Sequence, residues 1–422
     1  MAEKKQVTVT PDPDCRENPN RCIRIFGEFT DELAERVLVD FAALRAQGNE
    51  PVTVYINSYG GSFRVLEIIN GALNGRNQDG RGVRIITVCY ATAASAAANM
   101  LAFGDYAIAF PKASIYFHGV RRLEDEITAE KAARLSREYL ELNRSTANEL
   151  AAKVFGRLVH RYMLLKEEAE RILRRAKKKK ETKNPLACFA ECLCGKVGNR
   201  TSALVMRSVK VILDRQDLMV RVIPRALKNR HLNALKQDAS VLRHLLEYEV
   251  EQHRDRPWRL DEDGVAQLTA DYFLIREHFF GEHVAIVERY ARTFASAFLP
   301  ETAFKRYQKM LAEKKESKAA EILSKHAEPI AEPFFYFAHA LCRNLVQSEN
   351  PLSSSEAYWL GIVDEVAGTP LAGYRQVSER QETEQKAATT PAAGQPTASS
   401  PQPGQSPPAA PPLNAEPAPA HP

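Results

Sequence analysis

Two runs of β-branched residues restrict this chain more than anything else in it. Val52–Asn57 (VTVYIN) and Val83–Cys89 (VRIITVC) read as strands buried on both faces. Strands of that kind belong to a parallel sheet covered by helices, and the segment between the two supplies a helix. From Phe63 to Leu73 the apolar residues Val65, Leu66, Ile68 and Ile69 recur at helical spacing, and Gly75 with the Asn77–Gly80 turn ends the run. Strand, helix, strand in this order implies a right-handed βαβ crossover. The fold class expected is α/β, a layered and mostly parallel sheet built from βαβ units.

Each strand runs into a turn of chemical use. Gly60 and Gly61 follow the first strand, and without Cβ atoms they let the backbone approach a ligand and aim N–H groups at it. Ser95 stands among alanines after the second strand and heads a short helix to Phe103, whose unpaired N–H groups suit a developing oxyanion. His118 follows the apolar Ile115–Phe117, where a rigid imidazole is placed to act as base for a serine hydroxyl. Taken singly, a serine there is a helix cap, a histidine after a strand is structural, and a Gly-Gly pair is a turn. Strand–GG, strand–Ser–helix and strand–His within one stretch point instead to an oxyanion site, a nucleophile and a base.

These residues resemble the proteolytic subunit family of the Clp protease. The matching pieces are Tyr55-Ile56-Asn57-Ser58-Tyr59-Gly60-Gly61-Ser62, then Ala93-Ala94-Ser95, then Pro111 to His118. The resemblance resumes from Leu352 to Ala357 and from Leu360 to Val366. It implies a Clp/crotonase-like sheet and a serine endopeptidase acting on unfolded or small peptides inside an oligomeric chamber. It also implies Ser95, His118 and Glu349 as catalytic residues, with the amides of Gly61 and Ala96 as the oxyanion hole. A homo-oligomeric ring and an AAA+ unfoldase are the partners implied, with no cofactor. Thr128 to Lys153 resembles the family's handle helix. Three departures stand out: Glu349 replaces an Asp, Gly119–Asp125 replaces a Gly-rich strand, and the axial N-terminal extension has no match.

The family pattern leaves a large surplus between the handle and Glu349. Runs such as LVHRYMLLKEEAERILRRA, LMVRVIPRALKNRHLNALK, VLRHLLEYEVEQH and VAIVERYARTFASAFL are amphipathic at helical spacing, so an inserted all-α subdomain is expected. The organisation is then a flexible arm over 1–21, the α/β core with its handle over 22–156, a helical insertion over 157–333, the rest of the core over 334–375, and a disordered Pro/Ala-rich tail over 376–422. Tyr272, Phe273, His278, Phe279 and Phe280 form an aromatic cluster expected in the insertion's core. The basic run Lys177–Lys180 is expected to be a solvated helix end.

Composition narrows the remaining classes. A net charge of +5 over 422 residues does not call for nucleic acid. MAEKKQVTVT lacks the apolar core of a secretory signal, and the longest apolar stretch, Val88 to Phe110, is broken by Asn99, Gly104 and Asp105, so neither export nor a membrane is expected. Seven scattered cysteines suit reduced thiols in a cytoplasm. Cys188, Cys192 and Cys194 lack a fourth ligand at zinc spacing, so no metal is expected. Two alternatives stay open beside the peptidase: a Clp-like scaffold without turnover, and a crotonase-type acyl-CoA hydratase, which shares the sheet and the backbone oxyanion site but needs neither Ser95 nor His118.

Overall fold

The computed structural model describes residues 15–75, 82–121, 128–179, 184–217, 298–326 and 328–371. The tail, the aromatic cluster at Tyr272–Phe280 and the insertion runs starting at Leu218, Val241 and Val284 lie outside the described residues, apart from Phe298 and Leu299 at the end of the last run. In chain order the first elements are β1 (Cys22–Phe29), α1 (Asp31–Gln47), β2 (Val52–Gly61), α2 (Phe63–Leu73), β3 (Ile85–Ala94), α3 (Ala96–Phe103), β4 (Tyr106–Ala109) and β5 (Ser114–Tyr116). There follow α4 (Ala129–Lys178), α5 (Pro185–Cys194), α6 (Asn199–Asp217), α7 (Glu301–Ala312), α8 (Glu316–His326), α9 (Glu328–Ser348), β6 (Pro351–Ser353), α10 (Ser354–Trp359) and β7 (Glu365–Val366).

The sheet runs β1-β2-β3-β4-β7, with every neighbouring pair parallel. Consecutive residues Val52 to Ile56 are all buried, as two-faced burial requires. Helix α1 begins at Thr30, whose hydroxyl accepts from the Leu33 amide, and buries Leu33, Val37, Phe41 and Leu44 along one stripe. Helix α2 has the bounds its sequence predicts, Phe63–Leu73. Strand β1 continues past Gly27 (φ 89°), and its pairing resumes at Glu28 after a register shift in which β2 carries the extra residue.

β3 is long enough to pair twice on one side. Ile86–Cys89 pair with β4, and Thr92–Ala94 pair with β5, which is antiparallel to β6 on its other side. The sheet therefore gains a short second layer of strands beyond the carboxyl end of β4. The candidate site sits there.

Helix α4 is 50 residues long and runs through Arg157 without a break, spanning about 75 Å at helical rise. Ala147, Leu150, Ala151, Val154, Phe155, Leu158, Val159 and Tyr162 form a continuous buried stripe down it. Helix α9 packs along α4 and brings Phe334, Phe337, Ala338, Leu341, Cys342 and Leu345 to the seam. Aromatic rings close its far end, with Tyr162 and Phe334 at 4.7 Å and Tyr162 and Phe189 at 5.6 Å between centroids. The buried apolar residues of these helices and most of those of the sheet form one continuous cluster, while Tyr55, Ile86, Val88 and Ile108 form a second, smaller one. Cys188 and Cys192 are buried in α5, and among the described residues no three His, Cys, Asp or Glu are grouped as metal ligands.

Two buried arginines on α4 hold the C-terminal part of the core in place. Arg157 donates to the carbonyls of Ala102 (2.9 Å), Gly104 (2.9 Å) and Ile362 (2.8 Å), and its Nε pairs with Asp364 at 2.9 Å. Asp364 also accepts the Ala107 amide, so it is a structural anchor within the sheet. Arg161 donates to the carbonyls of Tyr358 and Val363 and lies over the Tyr358 ring, 3.4 Å from its centroid. Among the described residues no helix is long and apolar enough to cross a membrane.

Candidate active site

Strand register brings three separate turns together. Ser58 pairs with Ala93, and Ala94 pairs with Tyr116, so β2, β3 and β5 end level with one another. Gly60–Gly61, Ser95 and His118 follow at those carboxyl ends, the customary ligand side of a parallel sheet.

Ser95 occupies the cap position of α3 but does not act as a cap. Its side chain accepts no amide of the helix. Its backbone holds φ 57° and ψ −124°, a region that costs a residue with a Cβ about 1–3 kcal/mol. Neighbours enforce this geometry: the Ser95 amide donates to the Tyr116 carbonyl at 2.8 Å, and its own carbonyl receives Ala98 and Asn99 at 3.0 and 3.2 Å. A sharp strand-to-helix turn of this kind presents a serine hydroxyl outward.

Gly60 lies directly against that turn. A Cβ at Gly60 would stand 2.6 Å from both the Ala94 carbonyl oxygen and the Ser95 Cβ, and its φ is 96°. Gly61, at φ 143°, has the same restriction against β1, with the Phe29 amide nitrogen 2.7 Å from a built Cβ. The Ala96 amide is the first of α3 and has no acceptor within the helix. Both amides border one cavity of about 290 Å³ that also takes in Ser95 and His118.

The imidazole of His118 is fixed from two sides. Its Nδ1 is 2.6 Å from the Gly119 carbonyl oxygen, and the Tyr116 ring lies beside it at 5.6 Å between centroids. An Nδ1–H donated to that carbonyl leaves Nε2 as the basic nitrogen. Ser95 and His118 share the cavity without a hydrogen bond between them.

Glu349 departs from its expected contact. The antiparallel β5–β6 ladder ends at the Tyr116–Pro351 pair, two residues before His118 and two after Glu349, so Glu349 stands at the same end of the ladder as His118. The carboxylate nevertheless forms an ion pair with Arg121 and none with His118. Arg121 and Glu349 are both exposed at more than half of their side-chain surface.

Sequence reasoning passed over the far wall of the cavity, formed by Asn99, Tyr139, Asn143 and Thr146. Asn99 lies one helical turn beyond Ser95 in an otherwise apolar α3, and Tyr139, Asn143 and Thr146 form a stripe at helical spacing on α4. Those two spacings were the available signal. Asn143 Oδ1 accepts the Val120 amide at 2.8 Å and so secures the segment after His118 to α4.

Residues 16–162 match the family model for Clp protease. This span is a Clp protease domain. No curated protein matches the chain. The matched Clp protease span takes in the glycine turn, Ser95, His118 and the first part of α4, but stops before Glu349. The residues after 162 that complete the sheet, β6 and β7, are held to the Clp protease domain by Arg157, Arg161 and the β5–β6 ladder.

Proposed function

We propose that this Clp-family chain is a serine endopeptidase acting through Ser95 and His118. The single observation that carries the reading is the strained Ser95 backbone, which holds an uncapped hydroxyl in the same cavity as His118 and the Gly61 and Ala96 amides. In the reaction, Ser95 Oγ attacks the peptide carbonyl carbon while His118 Nε2 takes the hydroxyl proton. The Gly61 and Ala96 N–H groups receive the oxyanion. His118 then returns the proton to the leaving amine, and water, activated by the same imidazole, releases the acyl group from Ser95.

Glu349 enters this reading as the third member on leaving Arg121. While Arg121 holds it, the Gly119 carbonyl alone sets the tautomer of His118. The family pattern further supports a homo-oligomeric ring enclosing the site, fed with unfolded or small peptides by an AAA+ unfoldase in the cytoplasm. Light scattering of the purified chain tests the ring, and a monomer at micromolar concentration counts against it.

A second reading, a scaffold without turnover, draws on the same Arg121–Glu349 pair, since a triad held apart is inactive. A fluorophosphonate probe separates the two. Labelling that disappears in Ser95→Ala and falls steeply in His118→Ala supports the peptidase; a folded, assembled chain that takes no label supports the scaffold.

A further inference from the structure

Two residues bordering the cavity beside Ser95 carry polar atoms that nothing in the fold satisfies. Asn99 is only 7 % exposed, its amide oxygen is buried without a partner, and its side chain makes no hydrogen bond among the described residues. The Tyr139 hydroxyl is likewise buried and unpartnered. Both side chains line the one cavity, approaching it from different helices, α3 and α4. Buried polar groups in folded proteins are nearly always paired, so two orphans on residues that border one cavity beside a candidate nucleophile call for a common explanation.

We propose that Asn99 and Tyr139 are specificity-determining residues that receive a carboxamide side chain, glutamine or asparagine, from the substrate residue preceding the cleaved bond. This rests on the peptidase reading above. A primary amide offers one acceptor and two donors, and an asparagine amide and a phenol hydroxyl together offer the complementary set. Other side chains match less well. Leucine or methionine leaves both orphan atoms dry and unpaired on binding. A carboxylate offers no donor to the orphan Asn99 amide oxygen. A lysine meets no carboxylate among the residues bordering the cavity. A serine hydroxyl is small for a space of about 290 Å³.

The test uses the full-length assembled chain and fluorogenic peptides that differ only in the residue before the reporter: Gln, Asn, Leu, Met and Glu. The expected result is a kcat/KM for Gln or Asn about tenfold or more above Leu, the discrimination typical of a site built to hydrogen-bond its substrate. Asn99→Leu, with Tyr139→Phe as a shape-preserving second variant, should reduce that preference, and in Asn99→Leu the Leu peptide should be cleaved faster than by the parent. A gain of that kind does not arise from misfolding. Fluorophosphonate labelling of Ser95 combined with equal or better cleavage of the Leu peptide by the parent overturns the carboxamide pocket and leaves the peptidase standing. No labelling and no cleavage of any peptide overturns both.

Discussion

Arg121 and Glu349 lie 228 positions apart in the chain and form an ion pair three residues beyond His118. The β5–β6 ladder ends two residues short of both His118 and Glu349, and the Glu349 carboxylate pairs with Arg121 and not with the imidazole. Glu349 is the first residue after α9, with φ 52°, a left-handed turn that directs the chain from the helix into β6. An exposed pair of this kind is worth about 0–1 kcal/mol, so releasing Glu349 from Arg121 costs little.

The proposed triad requires His118 to compete with Arg121 for Glu349, which Arg121→Ala tests. Its rate of fluorophosphonate labelling should rise about two- to tenfold, consistent with losing a surface ion pair of about 1 kcal/mol. Glu349→Gln should label no faster than the parent, and the double variant should match Glu349→Gln alone. If Arg121→Ala slows labelling as much as Glu349→Gln does, Arg121 is not a competitor.

The contact between Gly60 and Ser95 gives a second expectation. In Gly60→Ala the new methyl meets the Ala94 carbonyl and the Ser95 Cβ at 2.6 Å, and backbone cannot step aside as a flexible side chain can. Crowding of this sort costs about 1–3 kcal/mol, and the positive φ adds to it. Urea denaturation should register the loss, and labelling of the fraction still folded should fall further than at a control Gly71→Ala, where nothing lies within 4 Å.

Arg157 is the third. Replacing it with Met leaves the Asp364 carboxylate and the carbonyls of Ala102, Gly104 and Ile362 without their donor. Removing one partner of a buried pair costs about 3–5 kcal/mol. Amide exchange should quicken first at Ile362 to Val366, the segment Arg157 secures, with β1 and β2 protected for longer. Uniform loss of protection would mean that Arg157 supports the whole core equally.

His160 carries the pH dependence. Burial, reinforced by the adjacent Arg161 guanidinium, pushes its pKa from the usual 6.5 down to about 3, and its Nδ1 faces an Arg161 N–H donor. The folded value lies below the unfolded one, so on acidification the unfolded chain takes up the proton first. His160's contribution is complete above about pH 6.5 and is lost as pH falls towards 3, on the order of a few kcal/mol in all. His160→Gln should flatten the stability profile between pH 4 and 6; an unchanged slope would assign the acid sensitivity elsewhere.

The central βαβ unit was legible because it is local. Val52–Ile56 and the Phe63–Leu73 helix announce themselves through composition and spacing, and neither depends on a distant partner. The same holds for Ser95 at a strand-to-helix junction and for Gly60–Gly61 after a strand. The length of α4 was not legible, because its helical pattern runs through Arg157 with no cap or breaker to mark where the handle ends and the surplus helices begin.

What the sequence determined by itself is therefore a set of short-range facts: which runs are strands, which turns hold glycine, serine and histidine, and which helices are amphipathic. The tertiary structure alone decided which groups meet. Only the double pairing of β3 levels Ser95 with His118, only the β5–β6 ladder brings the Glu349 turn to the end of β5, and only the packing of α4 over α3 places Tyr139 and Asn99 around one cavity. The physical reason is that periodicity records which face of an element is buried, whereas the partner across that face is selected by strand register and by where two buried arginines find their carbonyls.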